Sequence, residues 1–349
     1  MGWFRRSKDK TAPETDGREA AAAAPDAAPP NAQGDQATPV PDRLADFFLV
    51  FEEHLTEVEK EDVDHIVARL RKPPALLERV SRGLDDPEEL TEAVTSDPTL
   101  SADVLRTVNS AAFHLAAPIS SIQHAVTYLG TNMVKGLVLQ ATVGQLLELE
   151  SPAQHTAYMR LWRASYIASA VAQELGKAVG SEDPSVLATR ALLANIGDLA
   201  LVSARADLAS LYAAHAPLFD RVAGQQEAIV ANSAIIGATL ARRWALPADL
   251  EHSLRYQLVP MAWPPERFGE TGLDSGEQVL VWFAMLVGDA TSFGASRNLA
   301  DFAIDRPDAL EYVYLPAYLR ASGHRDLPAL LQDPDTRGKL QRVIDRFGE

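Results

Sequence analysis

Large apolar residues recur at three- and four-residue steps through most of the chain after residue 41. The segment RLADFFLVFEEHLTEVEK places them at Leu44, Phe47, Phe48, Phe51 and Leu55, which is the spacing of one face of a helix. No stretch alternates apolar and polar residues for long enough to require a strand. The pattern therefore predicts an all-α body built from many packed helices.

Several predicted helices carry clear start and stop signals. Asp97-Pro98 opens one helix, and Asp86-Pro87 opens another with two glutamates in its first turn, where negative charge meets the positive end of the helix dipole. The segment AYMRLWRASYIASAVAQELG predicts a helix that ends at Gly176 or Gly180. One of its faces carries mostly small residues, which allow a neighbouring helix to approach closely: Leu161, Ser165, Ala168, Ala172 and Leu175.

Residues 1–41 have a different composition. Residues 11–41 contain ten Ala and six Pro, with Val40 as the single large apolar side chain, and such a segment cannot bury enough surface to offset the entropy lost on ordering. We predict a disordered tether. Its first ten residues, MGWFRRSKDK, are aromatic and basic; they are either a weak contact for a membrane surface or a partner protein, or an untethered terminus.

Charge and cysteine content exclude several classes of function. The net charge is −16, and because residues 1–41 carry five basic and six acidic residues, −15 belongs to residues 42–349. An acidic body repels phosphate backbones, so we expect no nucleic-acid partner. The chain has no cysteine, which excludes disulfides and thiolate sites and agrees with a cytoplasmic location. No apolar run approaches the ~20 residues of a membrane span, so we expect a soluble protein.

Few residues point to chemistry by themselves. No two of the eight histidines are three to five residues apart, so no helix offers an adjacent histidine pair to a metal. Asn109 and Ser110 interrupt an apolar helical stripe. They either bond to backbone at a helix junction or contact a partner or ligand.

Residues 96–130, SDPTLSADVLRTVNSAAFHLAAPISSIQHAVTYLG, resemble the HDOD domain (HD-related output domain) of bacterial signalling proteins. The shared features are the Asp-Pro opening, a leucine-rich helix ending in Asn-Ser-Ala, the Ile-Ser-Ser-Ile segment and a helix closing at Leu-Gly. The preceding KPPALLERVSRGLDDPEELTEAVTSDP is similar to the family's usual opening segment. LWRASYIASAVAQEL, RALLANIGDLAL, SAIIGATLARRWALP and LRYQLVP are similar to the successive helices of its second half.

The resemblance spans about residues 72 to 290 in a consistent order and implies the organisation of the whole chain. We expect an HD-like multi-helical bundle in two helical halves, over residues 72–150 and 151–295, together forming an HDOD domain over 72–295. An N-terminal helical segment at 42–71 precedes it, behind the tail at 1–41. A C-terminal helical extension at 296–349 either covers the second half or offers a surface to a partner.

The resemblance also identifies where a metal site would lie. In related metal-dependent HD phosphohydrolases, a histidine of the first helix, a central His-Asp pair, later histidines and a late aspartate hold the ion. At the corresponding positions this sequence has Ala164, Ala194, Asn195, Ser233, Gln257 and Asp289. One carboxylate cannot hold a hydrolytic metal, because several ligands must fix the ion while it activates water. The resemblance therefore implies a degenerate HD pocket with no catalytic residue, metal or cofactor.

We therefore predict a non-catalytic signal-transduction or scaffold module that acts through an unidentified protein partner. A small-ligand sensor is the alternative, with a nucleotide bound in the emptied HD pocket. A third hypothesis is a divergent phosphohydrolase whose metal site uses residues such as His215 and His252. The sequence names neither the pathway nor the oligomeric state.

Overall fold

A computed structural model describes residues 40–70, 86–109, 117–294, 309–327 and 333–347, and residues 115, 298, 299 and 329. The predicted tether with its basic tip, most of the family's opening segment and Ser110 lie outside the described residues. The described part contains sixteen α-helices and no strand, so the predicted all-α class is confirmed.

The helices follow one another in two groups. The first group comprises α1 Asp42–Ala45, α2 Glu57–Ala68, α3 Pro87–Thr95, α4 Pro98–Val108, α5 Ile122–Leu129 and α6 Thr131–Leu146. The second comprises α7 Pro152–Val179, α8 Pro184–Leu193, α9 Ile196–Ala204, α10 Leu218–Ile229, α11 Ser233–Arg243, α12 Ala248–Arg255, α13 Val259–Ala262, α14 Ser275–Ser292, α15 Leu315–Ala321 and α16 Pro334–Phe347. Short 3-10 helices lie at Glu52–His54, Ala206–Tyr212, Pro265–Thr271 and Leu310–Tyr312.

The Asp-Pro signals start helices as predicted. The side chain of Asp86 accepts a hydrogen bond from the backbone N–H of Glu88 at the start of α3. Asp97 accepts from Thr99 and Leu100 at the start of α4. Each carboxylate satisfies donors that have no partner within the helix, a contribution of about 1 kcal/mol per cap.

Helix α7 is the longest element and packs against α8 and α14. The five residues predicted to share its face are all buried. The predicted stop at Gly180 is confirmed, because this residue ends the helix with φ 72, a left-handed conformation that glycine adopts without strain. A stop at Gly176 is wrong. The helix runs through this position, and a Cβ there would lie 3.0 Å from Cα of Pro184, so the glycine lets α8 approach.

Separate apolar clusters join the two helical halves and the terminal helices. Helices α3 to α6 form a cluster that also includes Tyr166 of α7 and Leu192 of α8. Helix α2 packs with α9 and α11 in a second cluster. The largest cluster surrounds α7 and α14, and it includes Leu315 of α15 and Leu340 of α16. The C-terminal helices therefore cover the second half.

One apolar segment is longer than the sequence analysis allowed. Pro184–Ala204 has 21 residues, and an 18-residue window within it has a mean hydropathy of 1.4, enough by length and composition alone to cross a membrane. The expectation that no apolar segment is this long was therefore wrong. However, 72% of this window is buried inside the protein, and Ala194 and Asn195 separate it into α8 and α9. Its apolar character is explained by burial on nearly all sides, as in the central helix of a large core.

The contact between α7 and α14 generates a stability prediction. A Cβ on Gly288 would clash with the carbonyl oxygen of Ala164 and lie 3.0 Å from the backbone nitrogen of Ala168. We expect Gly288→Ala to lower the free energy of unfolding by about 3 kcal/mol, because backbone atoms cannot move aside. Gly269→Ala is the matched control, since no heavy atom lies within 4 Å of a Cβ there. Urea titrations with equal midpoints for both variants would contradict the prediction.

Candidate functional site

The residues at the predicted His-Asp positions lie at the junction of α8 and α9. Ala194 is buried, and its methyl group offers no ligand atom. The side-chain Nδ2 of Asn195 donates a hydrogen bond to Oγ of Ser165 at 3.2 Å. Ser165 directly follows Ala164 on α7, so the junction faces the helix that carries the first predicted position.

Gln257 closes this junction from the other side. Its side chain is buried, and Nε2 donates to the carbonyl oxygen of Ala194 at 2.9 Å. The structure therefore brings Gln257 and Ala194 into direct contact, with Asn195 alongside. Any ligand at this point would have to replace the amide-to-carbonyl bond.

The other predicted positions are engaged elsewhere. The carbonyl of Ala164 lies against Gly288, next to Asp289 in the sequence. The carboxylate of Asp289 pairs with the guanidinium of Arg221 from α10. Arg221 also stacks over the ring of Phe293, with 3.9 Å between the guanidinium carbon and the ring centroid. Asp289 therefore belongs to a buried ion pair, which agrees with a structural role.

Ser233 connects to a buried polar network that the sequence analysis missed. Its backbone N–H donates to Oε1 of Gln225 at 2.8 Å. Nε2 of Gln225 and the hydroxyl of Tyr212 each donate to Oδ1 of Asp198 at 2.9 Å. Asp198 lies within the apolar stretch RALLANIGDLAL. A charged residue surrounded by apolar residues was the available signal, since a buried carboxylate requires partners.

Electrostatics couple this network to the ion pair. Burial raises the pKa of Asp198, while the charge of Arg221 and hydrogen bonds from Tyr212, Ser233 and Gln225 oppose the rise. Burial, together with the nearby Asp198, also raises the pKa of the Tyr212 hydroxyl well above its usual range. Arg221 thus acts on both buried aspartates. The network holds α9, α10 and α14 together.

The donor set at the predicted positions does not fit a hydrolytic metal. Two positions are methyl groups, and two are carboxamides whose N–H groups already donate to protein oxygens. Across the part of the chain that the structure describes, no group of three or more His, Asp or Glu side chains could hold an ion. His252 bonds through Nε2 to the carbonyl oxygen of Thr271 at 2.6 Å, and it does not join His215 in such a group.

Asn109 lies at the end of α4. Its Nδ2 donates to the carbonyl oxygens of Leu105 at 2.9 Å and Ile119 at 2.6 Å. Its Oδ1 accepts from the backbone N–H of Ile119 at 2.7 Å. These are backbone contacts at a helix junction, and they tie α4 to the segment that precedes α5.

Comparison with known proteins agrees with this geometry. The family model of the HDOD domain matches residues 70–260, which is more than half of the chain. The protein therefore belongs to the HDOD domain family.

The individual relatives are distant. An uncharacterized protein of Treponema pallidum (strain Nichols) is 24% identical over 194 residues, 52% of this chain and 36% of that protein, so the match spans about a third of the relative's length. The structure of an HDOD domain protein of unknown function from Geobacter sulfurreducens has 18% identity and a TM-score of 0.55, covering 83% of this chain and 97% of that one. A protein of Shewanella amazonensis SB2B, provisionally described as a phosphohydrolase, has 23% identity and a TM-score of 0.55, covering 84% and 98%. At these identities the structures establish the shared fold.

The buried ion pair generates the prediction for this region. We expect Arg221→Met to lower the free energy of unfolding by about 3–5 kcal/mol, because it leaves the Asp289 carboxylate buried without its cation. The matched control is Arg106→Met, which removes an ion pair with Asp103. In that pair the Arg106 side chain is 76% exposed. That change should cost under about 1 kcal/mol. Denaturant unfolding measures both variants. If both lose a similar, small amount of unfolding free energy, the buried pair contributes little to stability.

Proposed function

We propose that this HDOD protein is a non-catalytic module of bacterial signal transduction that acts in the cytoplasm by binding a protein partner. The observation that carries the proposal is the composition of the degenerate HD pocket. Its positions hold methyl groups and engaged carboxamides, and the one carboxylate, Asp289, is paired with Arg221. Metal-assisted hydrolysis needs several ligands around one ion, and these side chains do not supply them.

An exposed aromatic residue on a hydrogen-bonded backbone segment supports contact with a protein. Phe48 is 62% exposed and lies on the extended segment between α1 and the first 3-10 helix. Gln226 holds this segment with two bonds, accepting from the N–H of Val50 and donating to the carbonyl of Phe48, both at 2.9 Å. Asn232 donates to the carbonyl of Val50 at 2.8 Å. An aromatic side chain on a fixed backbone loses little freedom on binding, which favours its use in interfaces.

The nucleotide-sensor alternative has less support at the degenerate pocket. Gln257 already donates to the carbonyl of Ala194 there, and both residues are buried. A ligand would have to break this bond and separate packed helices, a cost that its own contacts would have to offset.

Hydrolysis assays test the non-catalytic part of the proposal. We expect the purified full chain to give no turnover of bis(p-nitrophenyl) phosphate or cyclic di-GMP above background with Mg²⁺ or Mn²⁺, because the ion would lack ligands. The Asp289→Asn variant should give the same background rate as the wild type in these assays. Turnover that depends on the metal, stops on chelation and falls in Asp289→Asn protein of unchanged circular dichroism would overturn the proposal.

Affinity capture from the organism's own cells tests the partner. We expect the full chain and a chain beginning at Pro41 to retain the same protein, and Phe48→Ser to lose it because the exposed ring is removed. Tyr128→Ser is the matched control, since Tyr128 is also an exposed aromatic, at 56%. A partner lost on removing the tail would place the contact in residues 1–40 instead. If no variant retains a protein above background, the scaffold proposal fails.

A further inference from the structure

A groove of about 610 Å³ lies beside the degenerate HD pocket and is separate from it. The first turns of α7, the residues before α10 and the end of α14 form its walls. Its most polar lining residues are His155, Arg160, Arg163, His215 and Ser292, and Met159 adds an apolar surface. None of the positions at which the family resemblance implied a metal lines this groove.

The charge of the groove is opposite to that of the protein. Two guanidinium groups line it and no carboxylate is among its described lining residues, although residues 42–349 carry a net charge of −15 by count. Concave surfaces lined by one sign of charge attract ligands of the opposite sign. A positive groove on an acidic body therefore selects small anions that can enter it over extended polyanions, which the rest of the surface repels.

The two arginines are arranged to receive a ligand. Nη1 of Arg160 donates to the carbonyl oxygen of Tyr212 at 2.9 Å, which positions the guanidinium and leaves further N–H groups for another acceptor. Arg163 follows almost one turn later on the same helix and is half-buried. No described carboxylate pairs with it.

A buried hydroxyl in the same wall gives an independent indication. Ser292 is 8% exposed, and its Oγ has no hydrogen-bond partner among the described residues. Buried polar atoms are nearly always paired, so this hydroxyl has unused hydrogen-bonding capacity; because Oγ is buried in this structure, a rotation about χ1 has to turn it into the groove before it meets a ligand oxygen.

The opposite rim is held in a strained conformation. His215 has a φ of 63, in the left-handed region that side chains other than glycine seldom adopt. Its backbone N–H donates to the carbonyl of Phe293 at 2.8 Å. A conformation of this kind persists where the surrounding structure fixes it, and here it places the imidazole at the edge of the groove.

We propose that this groove binds a small phosphate-bearing molecule. The phosphate is held by Arg160 and Arg163, because a guanidinium donates two parallel bonds to phosphate oxygens. The Ser292 hydroxyl, once rotated toward the groove, donates to a further oxygen, and Met159, which is 57% exposed, covers the organic part. The volume falls within the range of about 300–1,000 Å³ that accommodates nucleotide-sized ligands. This site is independent of the partner contact proposed above.

Calorimetric titration of the full chain tests the site, with pyrophosphate and GMP as probes and guanosine as the uncharged comparison. We expect at least one phosphate-bearing probe to bind and guanosine not to bind. Arg163→Gln should weaken binding by about tenfold or more, the loss of one charge-assisted contact. Arg163→Lys should have an intermediate effect, because it keeps the charge but not the paired donors.

Two controls make the result specific. Arg106→Gln removes the same charge from an exposed position outside the groove and should leave the affinity unchanged. Gln257→Ala alters the degenerate pocket and should also leave it unchanged. The proposal would be overturned if neither phosphate-bearing probe binds, or if guanosine and GMP bind equally well. It would also be overturned if the Arg163→Gln variant keeps the wild-type melting temperature and binds the probe with unchanged affinity.

Discussion

The close crossing of α7 and α14 is the constraint on which the rest of the structure depends. Gly288 meets the backbone of Ala164 and Ala168 at a distance that leaves no room for a Cβ. Because the backbones approach this closely, the largest apolar cluster can close around both helices and include residues from the C-terminal helices. Close packing of this kind tolerates little change in volume.

The positions that the family resemblance assigns to an HD metal site lie in the same part of the molecule. Asp289 of α14 pairs with Arg221 of α10, and the junction of α8 and α9 lies against Ser165 of α7. Each polar side chain in this region then bonds to the protein itself. Such a region stabilises the fold when all its partners are present, and it loses stability when one is removed, because the remaining group is buried without a partner.

The phosphate-binding proposal and the partner-binding proposal use different surfaces of one scaffold. Phe48 lies on a segment held by α10 and the residue before α11. The positive groove lies at the start of α7 and the end of α14. Helix α10 is connected to both regions, since Gln226 holds the Phe48 segment and Arg221 stacks on Phe293. One helix therefore links the two surfaces physically.

The sequence by itself determined the helical class, the Asp-capped helix starts and the family, because these depend on local spacing and on motif order. The family resemblance also assigned positions to an HD metal site, and Ala164 and Ala194 show from their identity alone that they offer no ligand atom. The sequence did not reveal that Asp289 pairs with Arg221, or that Gln225 and Tyr212 bond to Asp198. These partners are 14 to 68 residues apart along the chain, and no local pattern encodes them. Nor did it reveal the groove, because Arg160, His215 and Ser292 come from three separate segments. Only the packing of the helices, which decides which side chains meet, brings them together.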